Sequence, residues 1–267
     1  MNSPDYEYKG LMAQAWDVLR GDTSGWADRF FYLKIIQKYG QPVLDIGCGT
    51  GRLLLDYLQQ GIDIDGVDNS PEMLELCQHK AANLGLTAKI YEQYLEELDL
   101  PRKYRVILVP SSSLQLIIEP GSVNQAMKRL FDHLLPGGII AASIMTLWKE
   151  GDSLQSEWEQ SATREKDGVK FHRVSKSRYD PKTECEHTED LYQMIVAGQV
   201  VKEESHRRSP ATRSYQQSQA KILFEQAGLS NIQLYSEFTF EPVKTEDTLF
   251  VVTGQKSVNN SAYPKPA

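Results

Sequence analysis

The sequence predicts an α/β protein: a doubly wound, mostly parallel sheet with an antiparallel C-terminal edge strand, an N-terminal helical cap and an inserted antiparallel β lid. Three observations lead there. Short apolar runs alternate with helical stretches between residues 43 and 144, the alternation breaks over 150–210, and it resumes from residue 216. Strands alternating with helices of this length build βαβ units and hence a parallel sheet.

Residues 5–40 read as two helices. Leu11, Ala15, Val18 and Leu19 mark the first and Phe30, Phe31, Leu33 and Ile36 the second, with a break at Gly21 to Gly25. Val43–Ile46 is the first strand and Arg52–Gln60 a helix ended by Gly61. Ile62–Val67 is the second strand, followed by a helix over Pro71–Leu84 ended by Gly85. Ala88–Tyr91 and Val106–Val109 are the third and fourth strands, Val123–Leu134 is a helix, and Ile139–Ile144 is a strand after a Pro136-Gly137-Gly138 turn. Lys170–Tyr179, Glu186–Val196 and Gln199–Arg208 read as extended segments joined by turns at 180–183 and 197–198, which makes them an antiparallel insertion. A helix over Gln216–Ala227 and strands near Ile232–Phe240 and Thr248–Thr253 complete the sheet. The domain division that follows is 1–149 with 211–256 for the main body, 150–210 for the lid, and a polar, disordered tail over 257–267.

The 267 residues carry a net charge of −7 and 40% hydrophobic residues. Such a chain can bury a core, and its acidic surface disfavours nucleic acid. The basic stretch from Lys202 to Arg213 is interrupted by Glu203 and Glu204 and reads as a solvated strand edge. Cys48, Cys77 and Cys185 are scattered, with neither metal spacing nor a disulfide framework, and no metal is expected. Without a signal sequence or a membrane-length apolar run, the protein is expected to be cytoplasmic, as a monomer or homodimer.

The first strand ends at Asp45, and glycines follow at 47, 49 and 51. Glycine permits positive φ and lets a ligand approach the backbone without a Cβ in the way. The loop opens on a helix N-terminus at Arg52, whose free N–H groups favour polar or anionic ligand groups. Asp68, at the end of the second strand, can accept hydrogen bonds from both hydroxyls of a ribose. Strand, glycine loop, helix and distal acid together make a nucleoside site.

The run Asp45-Ile-Gly-Cys-Gly-Thr-Gly51 resembles motif I of the class I, Rossmann-like S-adenosylmethionine-dependent methyltransferases. A dinucleotide loop reads GxGxxG, whereas this one is GxGxG preceded by an acid. The resemblance spans roughly residues 40–150 and 215–256. It implies S-adenosyl-L-methionine as cofactor, with Asp45 orienting its ammonium and Gly47, Cys48, Gly49 and Gly51 cradling it. Asp68-Asn69-Ser70-Pro71-Glu72-Met73 is similar to the second motif. Asp68 and Asn69 then belong to the cofactor site, and Met73 either contacts adenine or packs in the core. Ser70 and Pro71 suit a helix start. Where the family often has an Asp for adenine, this chain has Tyr94, a departure; the Leu95 N–H, Gln93 or stacking on Tyr94 are the substitutes. The resemblance also assigns the Pro110 carbonyl to the ammonium, and Ser111 either to the acceptor pocket floor or to its own loop.

Small-molecule members of this family close the site with N-terminal helices and an antiparallel lid, and this chain resembles those that methylate glycine, sarcosine and amino sugars. Tyr6, Tyr8, Trp16 and Trp26 lie in the segment that would fold over the cofactor. Tyr8 and Trp16, eight residues apart, can share a helix face and line the transferred methyl, or simply pack the helix. Tyr8 is thus a candidate catalytic residue, and Trp16 and Trp26 are candidates for acceptor binding. An amine acceptor needs no general base, whereas a hydroxyl does. His172, His187 and His206 lie on the inserted strands, with His172 taken as the candidate base. Arg207 or Arg213 would suit an acceptor carboxylate, and Arg213 and Tyr215 can face the pocket.

The expected function is methyl transfer to a nitrogen or oxygen of a small molecule, with neither nucleic acid nor membrane as partner. The alternatives are a non-catalytic module that binds S-adenosylmethionine or S-adenosylhomocysteine, and an NAD-dependent oxidoreductase.

Overall fold

A computed structural model describes residues 8–164 and 167–258; Tyr6 and the tail from residue 259 lie outside them. The chain begins with α1 (Gly10–Arg20) and α2 (Ala27–Tyr39), then alternates through β1 (Val43–Ile46), α3 (Arg52–Gln59), β2 (Ile64–Asp68), α4 (Pro71–Asn83), β3 (Lys89–Glu92) and β4 (Tyr104–Val109). Next come α5 (Pro120–His133) and β5 (Leu134–Met145), and then four long strands: β6 (Gln155–Thr163), β7 (Lys170–Asp180), β8 (Cys185–Val196) and β9 (Gln199–Arg213). The chain returns through α6 (Gln217–Gln226), β10 (Ser230–Ser236) and β11 (Leu249–Gln255).

The main sheet has seven strands in the order β10-β11-β5-β4-β1-β2-β3. All pairings from β3 to β5 are parallel, and β11 runs antiparallel to both β5 and β10. The reversed strand is therefore the last in sequence and lies one place in from the edge. Strand alternation sends residues to two cores. Ile107 and Val109 pack with α5 and α6 residues such as Met127, Leu130 and Phe224. Val106 and Leu108 pack on the other face with Tyr32, Ile35, Leu54 and Leu74.

Two elements differ from the sequence expectation. The Pro136-Gly137-Gly138 turn is a bulge inside β5: pairing with β4 jumps from Tyr104↔Leu134 to Val106↔Ile139, and Gly137 takes φ 76°. The inserted sheet also has a strand the sequence did not reveal. β6 is polar and mostly exposed (QSEWEQSAT), and it is held by continuous antiparallel pairing to β7 from Gln155↔Arg178 to Thr163↔Lys170. A strand with no buried face carries no alternation to read.

The four-stranded sheet, in the order β6-β7-β8-β9, lies over α1. Phe171 and Tyr192 join Leu11, Met12 and Ala15 in a separate small core. Side chains tie the ends of this inserted sheet to the main body. Buried Gln115 donates to the carbonyls of Met145 (2.8 Å) and Arg213 (2.6 Å) and accepts from Met145 N–H (2.6 Å). Leu147 N–H donates to Ser214 Oγ (2.9 Å), and Thr146 Oγ1 donates to the Tyr215 carbonyl (2.9 Å). No helix among the described residues is long and apolar enough to cross a membrane.

The chain leaves β1 toward β2, while β4 pairs on its other side, so the strand order switches direction beside β1. In open parallel sheets ligands bind at the carboxyl ends of the strands at such a point. The floor there depends on Gly66 in β2, where an added Cβ would lie 2.8 Å from both Cys48 Sγ and Leu54 Cδ2. Gly66→Ala should cost about 1–3 kcal/mol in urea unfolding; a loss under about 0.5 kcal/mol would show that the loop after β1 yields freely.

Candidate functional site

A cavity of about 510 Å³ opens at this switch point. That volume falls in the range of small-molecule pockets. Its walls come from the loop after β1 (Asp45 to Thr50), the end of β2 (Val67 to Asn69) with Met73, the turn after β3 (Gln93 to Glu96) and the loop after β4. Tyr8, Trp16 and Arg20 close it from the N-terminal cap, and Arg208 reaches in from β9.

The loop after β1 is shaped by what its glycines avoid. Gly47 has φ 67°, and a Cβ there would lie 2.4 Å from Ser113 Oγ. Gly49 has φ 53°, and a Cβ there would come within 3.2 Å of Met73 Cε. Gly51 differs, since it faces Cys77 and Leu55 and does not line the cavity. Its φ of 85° turns the chain into α3, so its role is in the bend.

Two carboxylates define the charge of the site. Asp68 Oδ2 accepts from Gly49 N–H at 2.8 Å and Oδ1 from Ser70 N–H at 2.9 Å. Burial raises its pKa, and these backbone N–H groups oppose the rise. Asp45 is buried, its Oδ1 has no hydrogen-bond partner among the described residues, and desolvation pushes its pKa up to about 7. An orphaned carboxylate oxygen beside a glycine cradle is the arrangement that a ligand ammonium would complete. The cation that acts on it, Arg52, is already engaged by buried Asp28 at 3.1 and 2.5 Å. Cys48 lines the cavity as a buried thiol, with its pKa raised by burial.

Most expected residues meet here: Asp45, Gly47, Cys48, Gly49, Asp68, Asn69, Met73, Tyr94, Leu95, Pro110, Ser111, Tyr8 and Trp16 all border the one cavity. Tyr8 lies before α1, not within it, yet its ring meets Trp16 edge-on at 4.7 Å. The Pro110 carbonyl is not free as expected, because it accepts from both the N–H (3.1 Å) and the Oγ–H (2.7 Å) of Ser113. Gln93 likewise spends its amide on the Asp99 backbone, donating at 3.1 Å and accepting at 2.9 Å.

Besides Gly51, four expected residues lie elsewhere. His172 alternates with Phe171, so it lies on the lid face turned away from α1, 3.8 Å from Glu159. Trp26 is 39% exposed and stands behind the cavity wall. Arg213 donates its Nε–H to the Ile118 carbonyl (2.8 Å), fixing a wall residue without reaching the cavity itself. Tyr215 is buried and also stands outside.

The sequence reading missed Arg20, Glu96, Glu119, Ser122 and Arg208. Arg20 follows Trp16 by four residues on one helix face, a spacing visible in the sequence. In the basic stretch, Glu204, His206 and Arg208 are half-buried while Ser205, Arg207 and Ser209 are exposed. The solvated strand edge is thus true of one face only.

Comparison with known proteins agrees with this geometry. Residues 43–138 match the methyltransferase-domain family. The chain is 26% identical, over 89% of its length and 95% of the relative's, to a putative methyltransferase of a Geobacillus species. It is 24% identical, over 85% and 87%, to the dTDP-3-amino-3,6-dideoxy-alpha-D-glucopyranose N,N-dimethyltransferase of Streptomyces fradiae. Among solved structures, an S-adenosylmethionine-dependent methyltransferase from Clostridium acetobutylicum superposes with TM-score 0.75 at 18% identity, covering 91% of this chain and 96% of that one. The sugar N-methyltransferase KedS8 of a Streptoalloteichus species gives 0.72 at 18% identity, covering 96% of each. This chain is an S-adenosylmethionine-dependent methyltransferase of the class I fold, and S-adenosylmethionine is its cofactor.

Asp45 gives a test that needs no ligand. Its folded pKa is above that of an unfolded Asp, so its burial is tolerated below about pH 4 and costs stability as pH rises through its folded value of about 7. Asp45→Asn should therefore gain on the wild type by about 4 kcal/mol between pH 4 and 8 in ligand-free denaturation. A pH-independent difference would contradict the assignment.

Proposed function

We propose that the protein methylates the amine nitrogen of a small polar metabolite. The observation that carries this is the composition of the closed cavity: among the described residues no histidine lines it, whereas Glu96 and Glu119 do, their carboxylates without ion pairs. An amine bound neutral needs no general base, and nearby carboxylates favour the approach of a basic acceptor over an acidic one. The S. fradiae relative and KedS8 are named as N-methyltransferases, which supports the same reading.

S-adenosylmethionine supplies a methyl group on a sulfonium, displaced in line by the acceptor. The chain's contribution is alignment and exclusion of water. Asp68 keeps a second lone pair on each oxygen for the ribose hydroxyls while its first pairs hold the loop. Asp45 receives the ammonium, and Arg20, with no carboxylate pairing it among the described residues, receives the carboxylate of the amino-acid end. Asn69, Met73, Tyr94 and Leu95 border the adenine, with Glu96 as the acid in reach of its amino group. Tyr8 and Trp16 present aromatic walls to the positive sulfonium. The β6–β9 sheet, holding Arg208 over the opening, serves as the lid.

The test is a panel of acceptors scored by S-adenosylhomocysteine release. Amines, amino-sugar nucleotides among them, should turn over with rates rising as the free-amine fraction grows, and catechols and other hydroxyl acceptors should not. Turnover of hydroxyl acceptors alone would overturn the amine assignment; cofactor binding with no release on any acceptor would favour a non-catalytic module.

A further inference from the structure

Trp26 stands outside the cavity, yet it links two of the cations that border it. The Arg20 guanidinium lies 3.8 Å from the Trp16 ring centroid and 5.6 Å from that of Trp26. The Arg52 guanidinium lies 5.1 Å from the same Trp26 ring. The order is therefore Trp16, Arg20, Trp26, Arg52, with Asp28 closing the far end by its ion pair to Arg52. Asp28 pairs with Arg52, whereas Arg20 makes no ion pair among the described residues and is favoured only at longer range by Tyr8, Asp17 and Asp28. Burial depresses the Arg20 pKa, and Tyr8, Asp17 and Asp28 oppose the fall only in part, so this placement is held against a cost.

Helix α2 does not require a tryptophan here. Trp26 is its N-cap, a position that favours Ser, Thr, Asp or Asn, and it makes no side-chain cap bond. More than a third of its surface is exposed, so it contributes little to either core. Asp17, the carboxylate nearest to Arg20 on its own helix, is taken by Thr50 Oγ1 at 2.7 Å and Lys80 at 2.6 Å. The groups in direct contact with the Arg20 guanidinium include two indole faces.

We propose that Trp26 is a positioning residue: with Trp16 it clamps the Arg20 guanidinium in the cavity, where it meets the carboxylate of the cofactor's amino-acid end. This rests on the reading of Arg20 given above, and it adds that affinity for that carboxylate is set from outside the cavity. The indole face supplies cation–π attraction and blocks rotation of the arginine toward solvent. A phenyl ring supplies part of both; an aliphatic side chain supplies neither.

Calorimetric titration of the full chain with S-adenosylmethionine and with its decarboxylated analogue tests the proposal. Arg20→Gln and Trp26→Leu should each weaken S-adenosylmethionine about tenfold and leave the decarboxylated ligand within about twofold. Trp26→Phe should recover most of the loss. The proposal is overturned if Trp26→Leu leaves both affinities unchanged, if it weakens both ligands equally, or if Phe restores nothing. Equal affinities for the two ligands in Arg20→Gln and wild type would instead remove the anchor reading itself, a failure distinct from that of Trp26 alone.

Discussion

Two carboxylates buried at the ends of adjacent parallel strands set the terms for the rest of this molecule. Asp45 and Asp68 repel each other, burial raises the pKa of both, and neither has an ion-pair partner among the described residues. Asp68 is stabilised by two backbone N–H groups, and the cost of Asp45 is left standing. A folded protein keeps such a group where a ligand will complete it. The glycine loop, the ion-paired Arg52 and the Arg20 held without an ion pair among the described residues are arranged around that deficit.

The cap and the lid follow from the same requirement. A site that relies on fixed charges works best where water is excluded. The first turn of α1 is pinned from two sides: Gly10 N–H bonds Glu72 of α4, and Leu11 N–H bonds Glu204 of β9 at 2.6 Å. Ser70 Oγ donates to the Tyr8 carbonyl at 2.5 Å, so the residue that caps α4 also holds the strap carrying Tyr8. Body, cap and lid thus meet at one corner of the cavity.

Much of this was legible in the sequence because it is local. The β1 boundaries, the glycine loop and the acid at the end of β2 each depend on a few consecutive residues, and the sequence reading places them to within a residue or two. What it did not show depends on pairing or on distance along the chain. β6 has no apolar face and exists through its ladder to β7. The Pro110 carbonyl looked available until the turn placed Ser113 beneath it. Choosing among three lid histidines required the sheet's facing: His172 points outward, while His206 shares the half-buried face with Arg208 and meets Tyr192 edge-on. Trp26 lay in the right segment but works through its neighbours, which no spacing in the sequence reveals.

The central claim is that Asp45 is held near neutrality until a ligand ammonium ionises it. Proton release on binding tests it most directly. Calorimetric titration with S-adenosylmethionine at pH 6 in buffers of different ionisation enthalpy should show release approaching one proton per site, diminishing toward zero by pH 8 and abolished in Asp45→Asn. Binding with no buffer dependence at pH 6 would contradict it, because Asp45 would then be ionised before the ligand arrives.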